Sequence, residues 1–209
     1  MLIPYKSILD KYNIRPTGVL HIGANTGQEA DDYYNNGVQR TIWIEADSSL
    51  IPKLIANLQP YPEHLIFNDC LTDVDGEEIQ FHIANNDGQS SSILELGTHA
   101  TVHPEVHYVN HTMLHSKRLD TLMTMNQLEI ADYPFINVDV QGAELLVLKG
   151  MGELLHKVHY IYLEVNDNSL YQNCALYPEI KQYLSTFGFT MKEKVMCGNT
   201  GWGDAYFSR

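Results

Sequence analysis

The stretch Gly18–Asp32, GVLHIGANTGQEADD, decides the reading of the fold. VLHIGA is an apolar run of strand length, Gly23 and Gly27 then bracket Asn25, and QEADDYYNNG follows as a helix closed by Gly37. The alternation resumes at once. RTIWIEAD reads as a second strand, and SSLIPKLIANL as a helix with Ser48 or Ser49 as N-cap and Leu50, Leu54, Ile55 and Leu58 at helical spacing. HLIFNDCL reads as a third strand. Strand and helix in strict alternation predict an α/β fold, a parallel sheet with crossover helices. PFINVDV (strand), GAELLVLKG (helix), VHYIYLEVN (strand) and YPEIKQYLSTFG (helix) continue the series. FTMKEKVM and DAYFS, joined by CGNTGWG, predict an antiparallel hairpin at the sheet edge. An amphipathic helix near Tyr5–Tyr12 comes first, and an insertion from Thr72 to Pro134 separates the third and fourth principal strands. That insertion carries two more strands, EEIQFHIAN and EVHYVNHTML.

Composition narrows the classes of function. The 209 residues show no repeat, low-complexity tract or flexible linker, so a single domain over residues 1–209 is expected. A formal net charge of −13 opposes contact with a phosphate backbone, which proteins grip largely through Lys and Arg, and nucleic acid is not expected as a partner. MLIPYKSILDKYNI mixes charges with apolar residues and lacks the apolar core of a signal peptide, and no stretch reaches the roughly 18 apolar residues of a membrane span. A soluble, cytoplasmic protein without a membrane partner is expected. Cys70, Cys174 and Cys197 are odd in number and far apart, which suits a reducing compartment better than a disulfide framework or a CxxC metal site.

In an open α/β sheet, ligands bind beyond the carboxyl ends of the strands, where the first strand turns into its helix. The dinucleotide fingerprint there is G-x-G-x-x-G, whereas this chain has Gly23-Ala24-Asn25-Thr26-Gly27. Asn25 takes the place of the middle glycine, which disfavours a pyrophosphate cradle. Glu45, ending the second strand, is placed to accept hydrogen bonds from both hydroxyls of a ribose. Asn68, Asp69 and Cys70 end the third strand and offer an acceptor and a backbone N–H to an adenine edge. Together these features describe an adenosyl ligand that is not a dinucleotide, of which S-adenosylmethionine is the commonest. The competing reading is that Gly23 and Gly27 only shape a tight turn.

VLHIGANTGQE, IWIEAD and above all FINVDVQGAELLVLKG, preceded by KRLDTLM and followed by YLEVN, resemble the FkbM-type methyltransferases, a class I S-adenosylmethionine-dependent family. The resemblance runs from about Gly18 to Val165. It implies a Rossmann-like, doubly wound, seven-stranded sheet, a cofactor held by the first turn, and methylation of a hydroxyl on a sugar, glycan or other natural product. Carried over position by position, it assigns Gly23, Asn25, Gly27 and Glu45 to the cofactor and puts Asp139 and Glu144 in the second motif. Three positions depart from the family's commonest form: His21 stands for an acidic residue, Asn137 for a frequent lysine and Gln141 for a frequent glutamate. His21 remains a cofactor-binding candidate, though the loss of an acid there alters how the cofactor's ammonium is held. Gln141 lacks a glutamate's basicity but keeps its hydrogen bonding.

Methyl transfer is an in-line displacement, so the protein must align the acceptor oxygen and provide a base for its proton. Asp139 falls at the same sheet edge as the glycine turn and reads as that base, as a partner of the cofactor's ammonium, or as an N-cap of the next helix. Glu164 is the second catalytic candidate. Ser91, Ser92, Gln141, Glu144 and Asn166 form the acceptor-binding set, Glu144 also suiting the helix dipole. Asp139, Glu164 and Asn166 alternatively offer oxygen ligands to magnesium or calcium, but nothing in their spacing demands a metal and none is expected. His99, His103, His107, His111 and His115 recur every four residues. On a strand such neighbours are about 13 Å apart, too far for one zinc, so His107, His111 and His115 read as a solvated face. His99 and His103 are better placed to reach the cleft as a base, and Tyr171, Asn199 and Trp202 to line a sugar site. Two other functions compete: a non-catalytic adenosyl-binding module, and an NAD-dependent oxidoreductase, which the glycine spacing disfavours.

Overall fold

The apolar runs and glycine turns become a seven-stranded sheet in the computed structural model, which describes residues 1–209. The first part contributes α1 (Tyr5–Tyr12), β1 (Gly18–Ile22), α2 (Ala30–Asn35), β2 (Arg40–Ile44), α3 (Ile51–Leu58) and β3 (His64–Phe67). Next come β4 (Cys70–Leu71), β5 (Glu78–Ala84), α4 (His99–Val102), β6 (Tyr108–Lys117) and α5 (Leu119–Met125). The series closes with β7 (Phe135–Val138), α6 (Glu144–Met151), β8 (Tyr160–Asn166), α7 (Tyr177–Thr186), β9 (Thr190–Met196) and β10 (Trp202–Ser208). The main sheet has the order β3-β2-β1-β7-β8-β10-β9, and β10 alone runs opposite to the other six strands. This is the doubly wound class I arrangement. Its order reverses between β1 and β7, which opens a crevice at their carboxyl ends.

Side-chain alternation gives the sheet two unlike faces. Leu20, Ile42, Ile136, Leu163 and Phe207 belong to a core shared with α5, α6 and α7. On the other face Trp43, Phe135, Tyr162 and Tyr206 pack with α1, α2 and α3, and Tyr5 stands edge-on to Phe135 at 5.1 Å. Two residues further toward the open ends of the strands, that aromatic face turns polar. His21, Asn137, Asp139, Glu164 and Asp204 all lie there, because each shares strand parity with an aromatic-face residue.

Four local features differ from the sequence reading. HLIFNDCL is not one strand: β3 stops where the Asn68 side chain donates to the carbonyls of Glu45 and Ala46 at 2.8 and 3.0 Å and turns the chain away. Asp69 then pairs with Lys117 at 2.5 Å, and β4 joins a separate sheet of order β4-β6-β5. Ser48 and Ser49 do not cap α3, since Asp47 accepts the N–H of Ser49 at 2.9 Å and sets the turn itself. The hairpin of β9 and β10 forms, but β10 begins at Trp202 and lies inside the sheet, leaving β9 at the edge. The insertion holds two helices, α4 and α5, besides its strands. His107, His111 and His115 are exposed, as expected of a solvated face, and no helix is long and apolar enough to cross a membrane.

Candidate active site

Where the open ends of β1, β2, β7 and β8 meet the insertion, they enclose a cavity of about 670 Å³, a size suited to a small molecule. Its floor is the glycine turn. Gly23, Asn25 and Gly27 have φ of +83°, +46° and +75°, so the chain doubles back through left-handed conformations. A Cβ on Gly23 would stand 1.7 Å from the carbonyl oxygen of Asp139, so only glycine lets the β1 turn touch the end of β7.

Glu45 clamps this turn. Its Oε2 accepts the N–H of Asn25 and its Oε1 that of Asp47, both at 2.7 Å, while burial pushes its carboxyl above the ordinary range. Each oxygen keeps a further lone pair, and the residue lines the cavity. Asp69 and Cys70 line it too; Asp69 is paired with Lys117, and burial pushes the Cys70 thiol up to about 12, so it stays neutral. His21 stacks on Trp43 at 5.0 Å with Nδ1 3.2 Å from the Tyr33 hydroxyl. Burial lowers its pKa, so it brings no charge. Glu45→Ala is expected to weaken S-adenosylmethionine binding about 10- to 100-fold in titration calorimetry, since charge-assisted hydrogen bonds contribute roughly 1.5–3 kcal/mol each.

The far wall is acidic. Asp204 stands opposite Glu164 in the β8–β10 register, and extending the β7–β8 register past Val138 sets Asp139 beside Glu164. Gln141, held at φ +55°, bridges two of these groups: Nε2 donates to Asp139 Oδ1 at 2.7 Å and to Glu164 Oε2 at 3.1 Å. The Tyr171 hydroxyl donates to Gln141 Oε1 at 2.5 Å, and the Ser92 hydroxyl to the Gln141 carbonyl at 2.7 Å, fixing the bridge. Asp139 opens to the cavity and to solvent, yet the protein packed around it raises its carboxyl to about 6, the Gln141 bond opposing the rise and Asp204 adding to it. Glu164 lies well above its ordinary value through burial and the neighbouring Asp139 carboxylate.

Several candidates fall into supporting roles. Asp139 does not cap α6; Glu144 Oε1 instead accepts the N–H groups of Val140 at 3.2 Å and Gly142 at 2.9 Å. Glu144 is fully buried outside the cavity lining, and burial raises its carboxyl to about 7. Ser92 and Asn166 also lie outside the lining, so the Asp139–Glu164–Asn166 oxygen set does not converge in the cavity. Ser91 lines it, but its hydroxyl accepts the N–H of Ala84 at 3.0 Å. Tyr171 and Trp202 line the cavity and Asn199 does not. His99 and His103 reach the cavity from α4, their rings 5.0 Å apart, and burial lowers the pKa of His99.

Sequence reasoning missed Asp204 and Glu29. A charge inside the apolar strand DAYFS was the available signal for Asp204; Glu29, 3.9 Å from His21, reads in sequence only as an acid near a helix start. Seven carboxylates and no lysine or arginine line the cavity.

Comparison with known proteins agrees with this fold. A family model described as "Methyltransferase FkbM domain" matches residues 21–191. The 2-O-methyltransferase NoeI of Sinorhizobium fredii (strain NBRC 101917 / NGR234) is 30% identical over 161 residues, which cover 74% of this chain and 65% of that protein. The chain thus spans just under two thirds of this relative's length. A crystal structure of Methyltransferase FkbM from Methylobacillus flagellatus KT superposes with a TM-score of 0.61 at 12% identity, over 93% of this chain and 44% of that one. Magnesium protoporphyrin IX methyltransferase from Synechocystis PCC 6803, solved with bound S-adenosylmethionine, gives 0.54 at 9% identity, over 97% and 74%. At such identities the likeness speaks for the fold. The matched motifs and the sheet that carries them make this chain a member of the FkbM methyltransferase family, whose methyl donor is S-adenosylmethionine.

Proposed function

We propose that the chain is an O-methyltransferase acting on a hydroxyl of a sugar, glycan or similar small natural product. The observation that carries this reading is the Gln141-bridged pair of Asp139 and Glu164, set in one cavity with the glycine turn. The residues present fit the cofactor. The left-handed turn leaves no room for a side chain at Gly23, and Glu45 keeps free lone pairs toward the cavity. When bound, the cofactor supplies a methyl carbon already activated by a sulfonium. His21, Gly23 and Asn25 border its amino-acid end, Glu45 its ribose, and Asp69 with Cys70 its adenine, while Gly27 lies outside the lining, packed against Leu54 and Leu58.

On the acceptor side, Asp139 is ionised in part at neutral pH and takes the hydroxyl proton, while Gln141 orients it against Glu164. Ser91 borders the acceptor. Trp202 offers flat apolar surface of the kind that packs on a pyranose ring. The name of the relative NoeI supports transfer to oxygen. The absence of lysine and arginine from the lining favours an uncharged acceptor over a phosphorylated one. The reading includes a cytoplasmic setting, in keeping with three free cysteines.

Incubating the protein with S-adenosylmethionine and a panel of methyl glycosides and oligosaccharides tests the reading through release of S-adenosylhomocysteine. Release with at least one hydroxyl acceptor is the expected result. Tight cofactor binding with no release across a broad panel would instead favour a non-catalytic adenosyl-binding module.

A further inference from the structure

Sheet register places three carboxylates in one row. Asp204 faces Glu164 in the antiparallel β8–β10 register, where side chains stand about 4.5–5.5 Å apart, and Asp139, one residue past β7, follows the parallel β7–β8 register to the other side of Glu164. Like charges opposed in this way repel. The donors supplied to the row are few: Gln141 Nε2 is shared by Asp139 and Glu164, and Asp204 accepts from the Tyr162 hydroxyl and the Leu2 N–H. Asn137, in register with Tyr162 on the same face, is 2% exposed and lines the same cavity, yet its Oδ1 has no donor. The cavity therefore gathers acceptors and negative charge without a lysine or arginine to answer them. A positively charged occupant suits it.

We propose that the Asp139–Gln141–Glu164 bridge is a base keyed to the charge of the cofactor: it gives up a proton to receive the sulfonium, and recovers one from the acceptor hydroxyl as that charge disappears. The inference rests on the methyl-transfer reading and assigns the pair a state at each stage. Before the cofactor enters, repulsion between the two carboxylates and the burial of Glu164 make the pair retain a proton near neutral pH. A neighbouring positive charge favours the doubly ionised form and expels that proton. The pair then takes the hydroxyl proton as the acceptor oxygen bonds to the methyl carbon and the carbon–sulfur electron pair returns to sulfur. An ether, a neutral thioether and one protonated carboxyl remain, so atoms and charge balance. The base is thus strongest at the moment the proton must move.

The other groups facing the pair are Asp204 on β10, Glu29 beside α2, Glu144 at the start of α6, His21 on β1, the Tyr162 and Tyr171 hydroxyls, and the amino group of Met1. None of them is shared between Asp139 and Glu164 as Gln141 is.

Titration calorimetry on the whole chain, in buffers of different ionisation enthalpy from pH 6 to pH 8, tests the proposal with S-adenosylmethionine and S-adenosylhomocysteine as probes. The expected result is release of about one proton on binding S-adenosylmethionine, with Kd falling about tenfold per pH unit until the pair is ionised, and none on binding S-adenosylhomocysteine. Glu164→Gln should abolish the release. Equal release for the two ligands would overturn the proposal by pointing to the ammonium they share, and so would release that persists in Glu164→Gln. Neither probe needs an acceptor, so this outcome is separate from that of the glycoside panel.

Discussion

Replacing Asp139 by asparagine is expected to slow methyl transfer roughly 10²- to 10⁴-fold while making the folded protein more stable. The two effects have one origin. The protein mass packed around Asp139, with Asp204 and Glu29, raises its carboxyl to about 6 against an ordinary value of 3.8, although the side chain itself opens to solvent. A carboxyl raised on folding leaves stability intact below its unfolded value and removes it as pH climbs through the folded one. The cost is therefore absent below about pH 3.8 and complete above about pH 6; because the Asp139 side chain is open to solvent, screening holds it to about 1 kcal/mol. Asparagine keeps an oxygen for Gln141 Nε2 and sheds the charge, so the variant should melt higher at pH 8 and match the parent near pH 3. Turnover on whichever glycoside releases S-adenosylhomocysteine, measured with the melting curves, checks both halves. A loss of turnover together with a loss of stability would show that Asp139 is a structural residue.

Gly23→Ala is expected to destabilise the fold by about 4 kcal/mol and abolish cofactor binding. A methyl group there meets the Asp139 carbonyl at 1.7 Å, and backbone cannot yield as a side-chain tip can. The residue also sits at φ +83°, a conformation that adds roughly 1–3 kcal/mol for any L side chain. Relief would require β1 and β7 to separate, although Gly23 and Ala24 are also tied by their N–H groups to the Ile44 carbonyl. Gly37→Ala makes the control: its φ is +94°, but nothing lies within 4 Å of an added Cβ, so only the conformational strain should show. Chemical denaturation of the two variants separates steric conflict from strain.

Periodicity made the parallel sheet, its glycine turn and the placing of Asp139 and Glu164 legible, because a strand end and a following glycine leave local signatures. What the sequence did not disclose depends on side chains meeting at a distance. Asn68 ends β3 by reaching two carbonyls just past the neighbouring strand β2, an act that no local pattern encodes. Glu144 and Ser92 look like acceptor ligands until the left-handed Gln141 and Gly142 bring backbone groups within their reach. Asp204 joins the site only through the register of β10 against β8.

The position of β10 between β8 and β9 has a consequence for biosynthesis. On the ribosome β9 emerges first, yet it can pair with nothing until residues 202–208 follow and slot in beside β8. This side of the sheet thus assembles out of chain order, and a nascent chain stalled at Met196 exposes the bare flank of β8. A premature stop codon before Trp202 removes an interior strand and one of the three aligned acids, so shortened products should be substrates for proteolysis rather than enzymes of reduced activity.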